Sequence, residues 1–360
     1  MTQPPPATRA TPRRYDLLAV ATLAIAVVTT FGGSLAYFFT QDDFTGLARV
    51  RGLLPPLNGP WRYVSGQVYF EIMKVVAGLN PMPYRIASLA AHAVTVALLF
   101  VFLRRTVSAF SAWVAAVWYA VHIAIYTALY SVSGIGEILT GLFGVATLLA
   151  VVQPSRWRWS AIAWFVLSLL SKETTVLLPF VLIAVAIPGD DARARFGTRL
   201  RDPVRIGLAA LSVLYLGLLI HQDVFGVGSA LNPKAPYAIR FDHTILENGS
   251  TYLAWSVNFL LATVRRYSDR AEPDSMRTAL TVVALWLLGL TWPGLRRRGW
   301  WLGGTLFFAF LIPVLPLPNH TYHYYLYAPL IGAAVCLAAF WESARAALAA
   351  KPPARVAKPA

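Results

Sequence analysis

The chain has 360 residues, of which 57% are apolar and 13% charged, and its mean hydropathy is +0.57. That charged fraction is about half the usual value for a globular domain, which excludes a soluble domain, a disordered chain and, with Cys336 the lone cysteine, a secreted disulfide scaffold. The net charge of +15 would suggest nucleic acid in a soluble protein, but here the basic residues fall between long apolar runs, which is how membrane topology is written, so no nucleic-acid partner is expected.

A helix needs about 20 apolar residues to cross the hydrocarbon. Windows of that order recur in chain order at residues 17–39, 86–103, 106–136 and 138–155. Two shorter ones, 159–171 and 174–189, flank Lys172-Glu173, and 206–222 and 278–295 follow. Residues 299–341 hold two spans broken by Pro313, Pro316 and Pro318. The first window is too long for a cleavable signal peptide and has no small-residue cleavage site after it. Residues 248–264 are ambiguous: they are apolar but carry Tyr252, Trp255 and Asn258, and Arg265-Arg266 follow. If they span, the Arg296-Arg297-Arg298 run falls outside; if they lie on the surface, it falls inside. The positive-inside rule selects the second arrangement.

The expectation is an all-α, polytopic membrane bundle of about ten transmembrane helices with both termini cytoplasmic. Residues 15–345 form one membrane domain with outer loops at 40–85 and 223–277, and an interfacial helix is expected at 68–76 in the first loop. Residues 1–14 and 346–360 read as Pro/Ala-rich, disordered cytoplasmic tails. No fixed-period repeat and no soluble domain is visible, so any chemistry is expected at the outer face.

Asp42-Asp43 follow the first span directly. Adjacent carboxylates repel, and a carboxylate at the membrane surface suits a general base; a polar helix end is the plainer alternative. Arg62, between Trp61 and Tyr63, fits either bidentate phosphate binding or headgroup anchoring. Glu71 and Lys74 have the spacing of an i, i+3 pair. Lys172 and Glu173, between two short spans at the outer face, are costly there unless paired or functional; the plainer alternative for them, and for Glu137 at the outer end of the fourth span, is an interfacial charge that snorkels to water. His92 and His122 read as hydrogen-bonded packing residues. The stretch from Asn319 to Tyr325 reads as an outer turn with belt aromatics, and Asn248-Gly-Ser and Asn319-His-Thr fit the glycosylation sequon, a pattern that recurs by chance.

In order, Asp42-Asp43-Phe44, Trp61-Arg62-Tyr63, Gly78-Leu-Asn-Pro81 through Tyr84 to His92, His122, the segment from Ser133 to Leu139, Ser171-Lys172-Glu173-Thr174 with Pro179, and Tyr325-Leu-Tyr327-Ala-Pro329 resemble the polytopic GT-C glycosyltransferases. The nearest likeness is to the membrane part of the transmembrane and tetratricopeptide repeat-containing O-mannosyltransferases and their bacterial relatives. The match is dense over residues 42–179, weak over 180–315 and partial at 320–332. Arg62-Tyr63 stands where the family has Arg-Pro, and His323-Tyr324 where it has an acidic residue and Arg.

The resemblance implies a multi-pass plasma-membrane enzyme with its site on the outer, periplasmic side. It would move a sugar from a polyprenyl-phosphate donor to an acceptor hydroxyl on a glycan, lipid or protein, with inversion. Asp42 or Asp43 would be the base. Arg62 and Lys172, with Arg265 or Arg266, would stabilise the leaving phosphate, and Glu173, Glu137 and His323 would complete the binding set. Two adjacent carboxylates can join a divalent-metal site, but too few further ligands are visible to define one, and no other cofactor is implied. The rival readings are a transporter or flippase of lipid-linked substrates and a noncatalytic membrane scaffold.

Overall fold

The computed structural model describes residues 13–57, 59–153, 156–187, 196–221, 238–257 and 273–349. Among them every regular element is helical: α1 (Arg13–Phe31), α2 (Gln41–Val50), α3 (Tyr69–Ala77), α4 (Pro81–Leu103), α5 (Ala109–Ala120), α6 (Tyr126–Tyr130), α7 (Ile135–Val151), α8 (Ser160–Ser171), α9 (Leu178–Ala184), α10 (Phe196–Leu200), α11 (Pro203–His221), α12 (Thr244–Val257), α13 (Pro273–Thr291), α14 (Pro293–Arg297), α15 (Trp300–Leu311) and α16 (Pro329–Ala349).

Among the described residues, four helices are long and apolar enough to cross a membrane: α1 with its 3-10 extension, α4, α11 and α16. The pair α5 and α6, bent by 45°, makes a fifth if read as one broken span. Shorter apolar helices occupy the windows at α7, α9, α13 and α15. Only 22% of the α1 window and 33% of the α11 window is buried, so most of their apolar surface faces outward. Leu17, Leu18, Ile25, Val213, Leu214 and Ile220 are among the exposed side chains. Such faces are incompatible with water and compatible with lipid, so the chain is a helical membrane protein.

Local chemistry sets the boundaries. Asn80 accepts a hydrogen bond from the Met82 amide at 3.1 Å and Pro81 opens α4, the usual combination of cap and pre-set φ. α5 starts at Ser108, whose hydroxyl donates to Glu342 of α16, as does that of Ser111. α3 follows a π turn over Val64–Val68 and ends at Gly78, whose φ of +60° suits glycine. It buries Phe70 and Met73 and turns Ile72, Val75 and Val76 outward, the two-faced pattern of an interfacial helix. Glu71 and Lys74 pair at 3.8 Å.

α7 packs against α4 and α8, and α15 against α16. The last contact depends on glycine: a Cβ on Gly303 would lie 2.6 Å from the Gly332 carbonyl oxygen, and one on Gly332 would lie 2.4 Å from the Gly303 oxygen. Small residues allow this backbone approach, and lipid-embedded helices rely on it because burial of apolar surface supplies little drive there.

Two boundaries and the setting of one helix differ from expectation. Residues 346–349, assigned to a disordered tail, continue α16, because Ala346-Ala347-Leu348-Ala349 are strong helix formers. The helical core likewise starts earlier than residue 15, at Arg13. The segment expected along the surface forms α12, and Ser250, Thr251, Tyr252, Leu253 and Ala254 are all buried. Five successive positions point all around a helix, so α12 is enclosed by other elements there. Its polar groups are matched internally: the Asn248 amide donates to Leu315 O at 2.9 Å and Leu317 O at 3.1 Å, and accepts from Thr321 Oγ1 at 2.7 Å. Asn248 is thus a clamp on the 315–321 turn rather than an exposed sequon. Residues 258–264, Arg265 and Arg266 lie outside the described residues, as do 1–12 and 350–360.

Candidate functional site

Asp42 and Asp43 do not end the first span; they open a separate helix. Thr40 and Asp43 form a reciprocal cap of α2, and Asp43 Oδ2 accepts from the Thr40 amide at 2.9 Å and the Thr40 hydroxyl at 3.2 Å. Its Oδ1 accepts from the Ser131 hydroxyl at 2.9 Å and the Ser133 amide at 2.7 Å. Asp43 is fully buried, and these four bonds use the acceptor capacity of a carboxylate. It staples α2 to the loop ahead of α7. Asp42, one position earlier, is exposed and faces an open cavity. The two neighbours thus differ in setting: a side chain at N3 of a helix reaches back to the cap, while one at N2 points away.

Two ion pairs bring distant segments together. The Arg62 guanidinium forks onto Glu173, with Nη2 to Oε1 at 2.9 Å and Nε to Oε2 at 3.4 Å. This is the geometry in which a guanidinium also takes a phosphate. Arg62 has a φ of +51°, a left-handed conformation that costs a branched-free side chain about 1–3 kcal/mol. The fork and the Trp61 ring, whose centroid lies 4.7 Å from Cζ, hold it there. Burial alone would push the Glu173 carboxyl up, but the Arg62 charge, its hydrogen bonds and the neighbouring Lys172 outweigh that and hold it at about 2. Lys172 pairs with Glu137 through Nζ and Oε1, and its ammonium lies 4.5 Å from the Tyr325 ring centroid and 5.0 Å from that of Tyr324. Glu137, Lys172, Arg62 and Glu173 thus form two neutral pairs linked by the Lys172-Glu173 peptide.

The elements explain the convergence. Ser65 Oγ donates to Ser171 O at 2.6 Å, joining the first loop to the end of α8. Gly136 lets α7 start against both: a Cβ there would lie 3.2 Å from Ser65 Oγ and 3.4 Å from Ser171 O. Arg85, 1% exposed, donates to Tyr37 O and Tyr130 O, each at 2.8 Å, and to Phe38 O, tying the ends of α1 and α6 to the start of α4. An Arg one turn inside a span marks such a role, and the sequence reading passed over it. It also passed over Thr127, and it gave Ser131 and Ser133, the latter within the motif from Ser133 to Leu139, no bond to Asp43; the Thr40-x-x-Asp43 pattern was the available signal for α2.

The result is a cavity of about 800 Å³. Asp42, Arg62, Glu137 and Lys172 line it, with Tyr322, Tyr324 and His320 of the late turn forming the facing wall. Glu173 stands behind Arg62. His323 lies outside the lining, buried and stacked on Trp255 at 3.8 Å, so it supports the wall rather than the cavity surface. His92 and His122 are packing groups: His92 contacts Tyr327 Oη at 2.8 Å and Ala120 O at 3.0 Å, and His122 contacts Ser256 O at 3.1 Å and accepts from the Ala124 amide. Among the described residues no group of three His, Cys, Asp or Glu side chains is placed to hold a metal ion. Comparison of the chain with protein-family models, curated proteins and solved structures finds no match.

Proposed function

We propose that the chain is a GT-C-type membrane glycosyltransferase that moves a sugar from a polyprenyl-phosphate donor to an acceptor hydroxyl. The observation that carries this reading is the cavity in which Asp42, Arg62 and Lys172 meet from three separate segments. A displacement at an anomeric carbon needs a base on one side and cations on the other. Asp42 has the exposure and the unused lone pairs for the base, and Asp43 positions it by stapling α2 to the loop before α7. Asp42 takes the acceptor proton, the acceptor oxygen bonds to the anomeric carbon, and the carbon–oxygen bond to phosphate breaks with inversion. Lys172 and Arg62 receive the leaving phosphate while keeping their carboxylate partners.

In this reading α1, α4, α5 with α6, α7, α8, α9, α11, α13, α15 and α16 make ten crossings, with the termini in the cytoplasm and the cavity on the outer face of the plasma membrane. Charge supports it. The cavity lies where α1, α6 and α8 end and α4, α7 and α16 begin, while Arg104-Arg105, Arg156, Arg158, Arg298 and Arg345 stand at the opposite helix ends. The short helices α8 and α9 supply a low wall for the prenyl chain. The 45° break between α5 and α6 favours the second reading, a flippase for the same lipids.

One experiment separates them: purified protein in lipid nanodiscs is given a panel of polyprenyl-phosphate hexoses with and without acceptor glycans, lipids and peptides. Donor consumption with stoichiometric product supports the transferase. Movement of intact donor between leaflets without consumption supports the flippase, and neither outcome leaves the scaffold reading.

A further inference from the structure

Two buried polar atoms on the cavity wall have no hydrogen-bond partner among the described residues: Glu137 Oε2 and Thr127 Oγ1. Glu137 is 2% exposed, and its other oxygen is taken by Lys172, so one half of a buried carboxylate is unmatched. Buried charged acceptors are costly to leave so, and each such group calls for a partner. Several helical threonines elsewhere in the chain turn back onto the carbonyl four residues earlier: Thr95 onto Ala91, Thr147 onto Phe143 and Thr305 onto Trp301, each at 2.8 Å. Thr127 does not, because a 3-10 turn over Ile123–Ile125 precedes α6.

We infer that Glu137 and Thr127 form a hydroxyl-reading subsite for a polyhydroxylated ring. One ligand hydroxyl donates to Glu137 Oε2 and a second exchanges a hydrogen bond with Thr127 Oγ1. The inference rests on the transferase reading for the nature of the ring, and it takes Glu137 out of the phosphate-binding group. A phosphate and a carboxylate repel, whereas a neutral hydroxyl can donate to an anion already balanced by Lys172. The division of labour is geometric: cations for the leaving phosphate, Asp42 for the acceptor proton, Glu137 and Thr127 for the identity of the sugar. Sites built to hydrogen-bond a hydroxyl discriminate strongly against analogues that lack it, because the buried partner is then stranded.

The test uses full-length protein in lipid nanodiscs, free of sugar detergents. The probes are citronellyl-phosphate hexoses and their four monodeoxy analogues, with apparent Kd as the readout. In the wild type, one or two deoxy positions should weaken binding roughly 10- to 100-fold, the size of a hydrogen bond to a charged group. In Glu137→Gln the largest of these penalties should shrink to less than about threefold. Thr127→Val should remove a smaller penalty at a different hydroxyl and leave the unliganded protein at least as stable, since its hydroxyl is unmatched there. If Glu137→Gln does not fold, Glu137→Asp reads the same quantity, because it keeps the charge beside Lys172 and withdraws the carboxylate by one methylene. Deoxy penalties that are absent in the wild type, or identical in wild type and variants, overturn the inference while leaving the transferase reading standing. A wild type that binds none of the probes overturns both.

Discussion

Replacing Asp43 by asparagine separates the two neighbouring carboxylates. Asp43 accepts four hydrogen bonds, two on each oxygen. Asparagine keeps one oxygen, so two donors on the other side would face an NH₂ group. Bonds to a charged acceptor contribute about 1.5–3 kcal/mol each, and Ser131 or Thr40 can rotate its hydroxyl to recover part of one. The net loss is about 3 kcal/mol, which for a chain of this size lowers Tm by about 4 °C. Asp42→Asn changes an exposed side chain and should stay within about 0.5 kcal/mol of wild type, while transfer falls by about 10²–10⁴-fold. The single Cys336 makes the stability assay direct: a thiol-reactive dye reports unfolding on heating, beside transfer of labelled sugar in the same preparation. Equal thermal stability of the Asp43 and Asp42 variants would refute the division of roles, and full transfer by Asp42→Asn would refute the base.

Lys172→Ala strands Glu137 in a buried position and should cost about 3–5 kcal/mol, with Lys172→Met/Glu137→Gln regaining most of the loss in thermal unfolding while donor use stays absent. Gly303→Ala puts a methyl against the Gly332 backbone and should destabilise by about 1–3 kcal/mol, which the same dye assay measures; an unchanged Tm would mean that α15 and α16 separate freely. The Arg62–Glu173 pair sets an acid limit. The folded Glu173 carboxyl is depressed to about 2 from an ordinary 4.5, so its contribution is fully present above 4.5 and is lost as pH falls toward 2. Between pH 5 and 8 this pair should therefore contribute a constant stabilisation with no pH dependence, and Glu173→Gln should flatten the acid limb of a pH titration of Tm.

The membrane class of this chain, the positions of its apolar helices and the charged residues that line its cavity, Asp42, Arg62, Glu137 and Lys172, were marked in the sequence by one-dimensional signals. Helix length, proline and arginine breaks and charge cost along an apolar run are local quantities, and each acts whatever the rest of the chain does. Lys172, Glu173 and Glu137 could be singled out because a charge at that depth needs a reason. What the reason is depends on partners far away in sequence. Nothing near Arg62 announces that its fork closes on Glu173, 111 residues later, or that Ser65 reaches Ser171. Asp42 and Asp43 look equivalent in a string of letters. They differ because a helix starts at Thr40, turning one carboxylate inward to four donors and the other toward the cavity. The same holds for α12, whose composition suits a membrane surface and whose Asn248 and Tyr252 are enclosed because the 315–322 turn brings partners to both. Only tertiary packing decides such cases, since a polar group's energy is set by which donors and acceptors share its pocket, and those come from wherever the chain returns.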